Sequence, residues 1–504
     1  MPKLRDNFLF HWGILFLLIL ILRGWPVPTG NELLYFVPPI RQFDPTFILN
    51  DWFFSRPFYP HYFFNLFSGL FNLLLSAETV GWLGRLLCWS LTIIALLRLG
   101  EHFGIPLWAV SLSISLWLIY GQSLVGGEFV IGTFEPKAIA YTFLLFSLTA
   151  FIKKEHIRAS VLLGLTFTFH PAVGLFAILS IGPSLLILRY PLTTVLKITF
   201  LTTISSAPLF FLITPEVFGH SALSSEGARF LALVRAPIHL DPLSWPKRYI
   251  LLLYVLFLFN WMHFRIDKSN KALQFLILFQ MFLCLFFSLG VLCRLSEHYW
   301  FLKFMPFRHF PVFTLLFFFF HLMNAYCRQA SIRPPPALIA VGFLALLSFG
   351  SPVSRLLDGM RLNYDLWVKK VSGGDDIKTA FKWIAKNTPN GSITILPPWR
   401  RDGWYLSQRA QIACLRYFPG DHRFEEWLER NQSLVGKIES QTSVEEMEHY
   451  YNNLAEKDIA SVVRKYGGEY LVSKRDYSYT RLFDSGSYKV YALKREHPRL
   501  VAGE

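Results

Sequence analysis

The sequence predicts a polytopic α-helical membrane protein of about eleven transmembrane helices, N-terminus inside and C-terminus outside, with a small soluble α/β domain at its C-terminal end. Three observations lead there. Of 504 residues, 53% are hydrophobic and 17% aromatic, and only 16% are charged, against ~25% in a typical soluble domain. Apolar runs of spanning length recur from residue 8 to residue 352. Beyond residue 375 the pattern changes to short alternating helix and strand signals. Lipid must be the solvent for the first part, so the chain divides into a membrane domain, 1–354, and an extracytoplasmic domain, 355–504.

The first apolar run, 8–23, follows Met1-Pro-Lys-Leu-Arg5 and ends at Arg23-Gly-Trp-Pro26. No small-residue cleavage site follows, so it reads as an uncleaved span. Further spans are expected at 79–98, 105–121, 136–152, 158–172, 174–190, 194–213, 248–264, 272–292, 308–326 and 336–352. The segment 59–76 is apolar but broken by His61, Asn65, Ser68, Gly69 and Asn72. It reads as an interfacial or re-entrant helix. With that assignment the compact basic loops, 153–158, 265–271 and 327–335, share one side with the N-terminus, as the positive-inside rule requires. The long loops 24–60, 121–135, 214–247 and 293–307 then share the outer side with the tail. They are too long and too mixed in polarity to be simple connectors.

The net charge is +15. The first 354 residues hold 25 basic and 14 acidic side chains, the remainder 24 and 20. The excess therefore belongs to the membrane half, for inside anchoring or for an anionic ligand. It forms no continuous basic stripe, which argues against nucleic acid. The five cysteines, Cys88, Cys284, Cys293, Cys327 and Cys414, show no CxxC or metal spacing and read as small buried hydrophobes. No phosphate-binding GxxxxGKS loop, HExxH or GxSxG is present, so ATP-driven transport and hydrolases of those types lose support.

In the tail, Ile377, Phe381 and Ile384 have helical spacing, Asn387–Gly391 is a turn, and Ser392–Leu396 reads as a strand. Two helical stretches follow, Phe424–Ile438 and Val444–Tyr466. Two strands close the domain, at Tyr470–Ser473 and Tyr488–Leu493.

Phe381-Lys-Trp-Ile-Ala-Lys-Asn-Thr-Pro-Asn-Gly-Ser-Ile-Thr-Ile-Leu396 resembles the entry into the soluble domain of oligosaccharyltransferase catalytic subunits. More broadly it resembles the C-type polyprenyl-phosphate glycosyltransferases. Asn31-Glu32-Leu-Leu-Tyr35 and Asn50-Asp51-Trp52 resemble the acidic loop those enzymes carry after their first span. The sequence departs from oligosaccharyltransferases where Pro397-Pro-Trp-Arg-Arg-Asp-Gly403 replaces Trp-Trp-Asp-Tyr-Gly, which argues against protein N-glycosylation. Phe134-Glu-Pro-Lys137, Phe169-His-Pro171 and Arg235–Asp241 mark it as closer to an uncharacterised bacterial branch. The resemblance implies a multi-pass protein of the bacterial plasma membrane. It would transfer sugar from a polyprenyl-phosphate-linked donor to an acceptor at the outer face, inverting the anomeric centre.

Such chemistry needs an acid to deprotonate the acceptor hydroxyl or hold a divalent cation, Mg or Mn, and cations to neutralise the leaving phosphate. Asp51, Glu32 and Glu135 are the candidate acids, with helix capping or an ion pair as the structural alternatives. Arg235, His239, Arg308, Lys137, His170 and Arg294 are the candidate donor-binding groups; snorkelling or turn roles compete. Arg85, inside the second span, requires a partner, expected among the loop acids. Two other classes stay open: a transporter or flippase of a lipid-linked or anionic solute, and a non-catalytic assembly protein of the same architecture.

Overall fold

The structure, a computed structural model, describes residues 7–56, 61–219, 222–266, 270–328, 350–371 and 375–493. Helices occupy ten of the expected spans: Phe8–Arg23, Ala77–Glu101, Leu107–Ile119, Pro136–Ile152, His156–Phe169, Pro171–Ile187, Leu192–Phe218, Lys247–Ile266, Lys271–Leu295 and His309–Arg328. Among the described residues, four stretches are long and apolar enough to cross a bilayer by length and composition alone: Ala77–Glu101, Leu192–Pro215, Lys271–Leu295 and His309–Cys327. The chain is a multi-pass helical membrane protein. The eleventh expected span, 336–352, lies almost wholly outside the described residues.

The ambiguous segment contains a single amphipathic helix, Tyr62–Asn72, of 11 residues. At 1.5 Å per residue it reaches ~16 Å, about half the hydrocarbon thickness. It packs on the short helix Val37–Phe43. Gly69 permits the approach, since a Cβ there would collide with the Phe43 ring and the Pro39 carbonyl.

Small residues also let the loops settle onto the helix Ala77–Glu101. A Cβ on Gly81 would strike Val27 and Phe36, and one on Gly84 would strike Phe134. The first loop and the 121–135 loop thus meet on one helix face, one turn from Arg85.

The helix Pro352–Val371 lies along the first span. Asn363 Nδ2 donates to the Ile21 carbonyl (2.9 Å), Trp367 Nε1 to Gly24 (2.8 Å) and Lys370 Nζ to Val27 (2.7 Å). The tail that follows is an α/β unit. Its five strands are β1 (Ile393–Ile395), β2 (Ala410–Gln411), β3 (Tyr470–Ser473), β4 (Thr480–Asp484) and β5 (Lys489–Ala492), in the order β2-β1-β3-β5-β4. β1 runs parallel to β2 and β3, and β5 runs antiparallel to β3 and β4. Helix Asp376–Asn387 buries Ile377, Phe381 and Ile384 against Leu396, Val472 and Val490 of the sheet region. Helices Phe424–Val435, Val444–Asn452 and Glu456–Tyr466 contribute to a second core, with Leu434, Tyr451 and Ile459 packed around Ile395 and Leu471. A third set, Trp404, Cys414, Tyr417, Phe424 and Trp427, joins the core of the helical bundle. The tail is therefore seated on the bundle by apolar packing.

Candidate functional site

The expected acids have three different fates. Glu32 sits at the first turn of a short helix after the first span and is completely buried. Its Oε1 accepts from Arg85 Nε (2.7 Å) and from the Phe134 backbone N–H (2.8 Å). Its Oε2 accepts from Arg85 and from the Thr29 N–H at 3.0 Å. Arg85 has found its partner among the loop acids, as its buried charge demanded. Burial pushes the Glu32 carboxyl up, with Arg85 and the two backbone donors acting against it. Both Glu32 oxygens are thus committed to holding Arg85 and two loops.

Asp51 is engaged in the same way. Its Oδ1 accepts from the backbone N–H groups of Phe53 (2.9 Å) and Phe54 (3.3 Å), capping a turn of 3-10 helix. Its Oδ2 accepts from Trp404 Nε1 (2.6 Å) and the Gln411 N–H (2.9 Å) of the C-terminal domain. Phe53, Phe54, Trp404 and Tyr417 close over it, with ring centroids 4.7–6.1 Å apart. Burial raises its pKa to about 6 against these donors. Asp51 fastens the first loop to the tail and faces no open space.

Glu135 differs. It precedes the helix Pro136–Ile152 in extended conformation (φ −148°, ψ 164°), with Pro136 at the first position, and its side chain makes no cap. Its carboxylate instead accepts from Thr133 Oγ1 (3.0 Å) and Asn31 Nδ2 (3.2 Å), and lies 3.8 Å from Lys137 Nζ.

Lys137 leads into the centre of the site. Its ammonium is 3.4 Å from Glu128 and sits 3.5 Å from the centroid of the Phe129 ring. The other Glu128 oxygen is 3.5 Å from the Arg308 guanidinium, which in turn lies 3.4 Å from His170 Nε2. The His170 ring is 5.2 Å from that of His61, and His61 is 5.4 Å from Tyr35. Glu128 is only 1% exposed. Burial alone would push its pKa up, but Arg308 and Lys137, with His239 and His309, hold it below the usual carboxylate range.

His239 joins from the 214–247 loop. Its Nδ1 is 2.7 Å from the Gly126 carbonyl, an acceptor only, so Nδ1 carries the proton. Burial, with Arg308 nearby, keeps its pKa below the usual range despite that bond, so it is neutral at pH 7. Its Cε1 would lie 3.2 Å from a Cβ on Gly127, whose φ is +58°; a side chain there would be both strained and crowded. Between the 121–129 loop and residues 238–249 is a cavity of about 340 Å³, lined by Glu128, Phe129, Ile238, Trp245, Tyr249 and Arg23.

Glu135, Lys137, His170, His239 and Arg308 thus converge, whereas two expected donor-binding residues do not join them. Arg235 ends a turn of π-helix and donates to the Arg416 carbonyl of the tail. Burial, with Arg416 close by, lowers its pKa to about 10. Arg294 is held by Asp241, at 2.8 Å and 3.5 Å, and by the Tyr299 hydroxyl. Both are engaged by other parts of the fold. Glu128, the acid between the two cations, was not among the candidate site residues. Its one local signal is the Gly126-Gly127 turn before it.

The acids do not suit a divalent cation. The Lys137 ammonium occupies the space between Glu128 and Glu135. Among the described residues no three His, Cys, Asp or Glu side chains are grouped as a metal ion would need.

No family model matches the chain, and no curated protein does. Two solved structures are similar to it. One is the oligosaccharyltransferase of Archaeoglobus fulgidus tethered through a disulfide to an acceptor peptide with an NVT sequon. It is 12% identical, with a TM-score of 0.50 over 92% of this chain and 69% of that one. The other is ArnT from Cupriavidus metallidurans bound to undecaprenyl phosphate, 13% identical, with a TM-score of 0.48 over 96% and 98%. The chain shares the fold of the oligosaccharyltransferase.

Proposed function

We propose that this protein is a membrane glycosyltransferase that moves a sugar from a polyprenyl-phosphate-linked donor to an acceptor at the outer face of a bacterial plasma membrane. The observation that carries the reading is the pair of cations, Lys137 and Arg308, flanking the buried Glu128 at the same helix ends as Glu135. Fixed cations in a desolvated pocket are what a departing lipid phosphate requires, and their attraction is strongest where water is excluded. The fold shared with an oligosaccharyltransferase supports the class of reaction. Eleven spans, an inside N-terminus and an outside tail complete the arrangement.

In the proposed step the acceptor oxygen attacks the anomeric carbon from the face opposite the phosphate, inverting that centre. Its proton passes to the Glu135 carboxylate. The bond from the anomeric carbon to the phosphate oxygen breaks, and the electron pair stays on that oxygen beside Lys137 and Arg308. Glu128 orients the two cations, and His239 holds the loop that bears it.

Gathering these charges at helix ends favours transfer over transport, since transporters concentrate them near the bilayer midplane. The test is transfer from a synthetic polyprenyl-phosphate sugar by purified protein in vesicles. Glu135→Gln and Lys137→Met should each lose transfer while melting as the parent does. Undiminished transfer in both would end the proposal.

A further inference from the structure

The opposite end of the bundle holds a second basic recess. We propose that it binds the headgroup of an anionic glycerophospholipid in the leaflet away from the C-terminal domain. The cavity is about 400 Å³, rimmed by Arg98, Lys153 and Arg158 and floored by Ile94, Phe146 and Ala150. It forms where the ends of the helices Ala77–Glu101 and Pro136–Ile152 meet the start of His156–Phe169. Arg98 stands 13 residues beyond Arg85 on one helix, ~20 Å along its axis. The recess is therefore remote from Lys137 and Arg308, and the proposal does not depend on the glycosyltransferase reading.

The three cations are available to a ligand. Arg98 pairs with Glu101 and Arg158 with Glu155, each at 3.2 Å and three residues apart, with side chains 36–64% exposed. Exposed pairs of this kind contribute little and yield readily to a phosphate. Lys153 makes no ion pair among the described residues.

The surface leading to the recess selects a lipid over a free anion. Leu83, Leu87 and Leu91 are 53%, 54% and 36% exposed. With Ile94 and Arg98 they follow at helical spacing and form one stripe that ends at the cationic rim. An acyl chain lying on the leucines would bring its phosphate to Arg98, Lys153 and Arg158. Basic pockets between helices at the inner surface are the usual form of such recognition.

The experiment is native mass spectrometry of delipidated full-length protein given phosphatidylglycerol, phosphatidylcholine or inorganic phosphate. Phosphatidylglycerol should be retained roughly tenfold over phosphatidylcholine, and millimolar inorganic phosphate should not displace it. The triple variant Arg98→Gln, Lys153→Gln, Arg158→Gln should fall to the phosphatidylcholine level. Lys153→Gln alone, which breaks no ion pair, should lower retention part of the way and guards against misfolding of the triple variant. Equal retention of the two lipids, or of the parent and both variants, would overturn the proposal. Displacement by inorganic phosphate would overturn it in favour of a free anion.

Discussion

Arg85 and Glu32 form an ion pair with no solvent exposure on either side chain, and the same carboxylate accepts the backbone N–H groups of Thr29 and Phe134. One acid therefore joins the second span, the first loop and the loop that carries Glu128 and Glu135. Glu32→Gln should destabilise the protein by ~3–5 kcal/mol, because it leaves the Arg85 charge buried and alone. Adding Arg85→Met should recover most of that loss. Thermal melting in detergent reads both. A base role for Glu32 would instead lose sugar transfer with melting unchanged.

Asp51→Ala removes the acceptor for Trp404 Nε1 and the Gln411 N–H, both buried. Stranding buried donors costs ~1–3 kcal/mol each, so the tail should loosen. Limited proteolysis should release it faster from the variant. Cleavage at the parental rate would show that the apolar contacts alone hold it.

The same clasp should respond to pH. Asp51 is held at about 6 in the folded protein against an ordinary 3.8, so folding favours its protonated form. The stability this contributes is complete below about pH 4 and is lost as pH rises through about 6. Resistance to proteolysis should be greater at pH 5 than at 7.5, and Asp51→Asn, which cannot ionise, should flatten that difference.

In the proposed site, Glu135→Gln should lower the rate of transfer by ~10²–10⁴ through loss of the base. Lys137→Met or Arg308→Met should cost ~10²–10³ through loss of charge on the leaving phosphate. Glu128→Gln should weaken donor binding more than Arg294→Ala does, since Arg294 answers only to Asp241 and Tyr299. Donor titrations of the five variants rank these effects. An Arg294→Ala loss equal to that of Lys137→Met would move the phosphate pocket elsewhere.

Hydropathy made the spans legible because lipid imposes length and composition on each helix by itself. The need of Arg85 for an acid was legible too, since an isolated charge inside a span is intolerable anywhere in it. Glu-Pro-Lys at 135–137 could be read as a helix start with both charges at its end, and the structure keeps them there. The fates of Glu32 and Asp51 were not legible. They are decided by Arg85, Trp404 and Gln411, which lie 53, 353 and 360 residues along the chain. Glu128 was hidden for the same reason: one of its cations lies in the first turn of Pro136–Ile152 and the other just before His309–Arg328, far along the chain.

The helix Pro352–Val371 carries a consequence for biosynthesis. The first span leaves the ribosome early, yet the carbonyls of Ile21, Gly24 and Val27 receive their donors from Asn363, Trp367 and Lys370. Those side chains emerge more than 300 residues later. Until then those three carbonyls have only water or lipid headgroups to accept from. A nascent chain stalled before this helix should be recognisably immature to quality control, and completion of the bundle is coupled to delivery of the domain that sits on it.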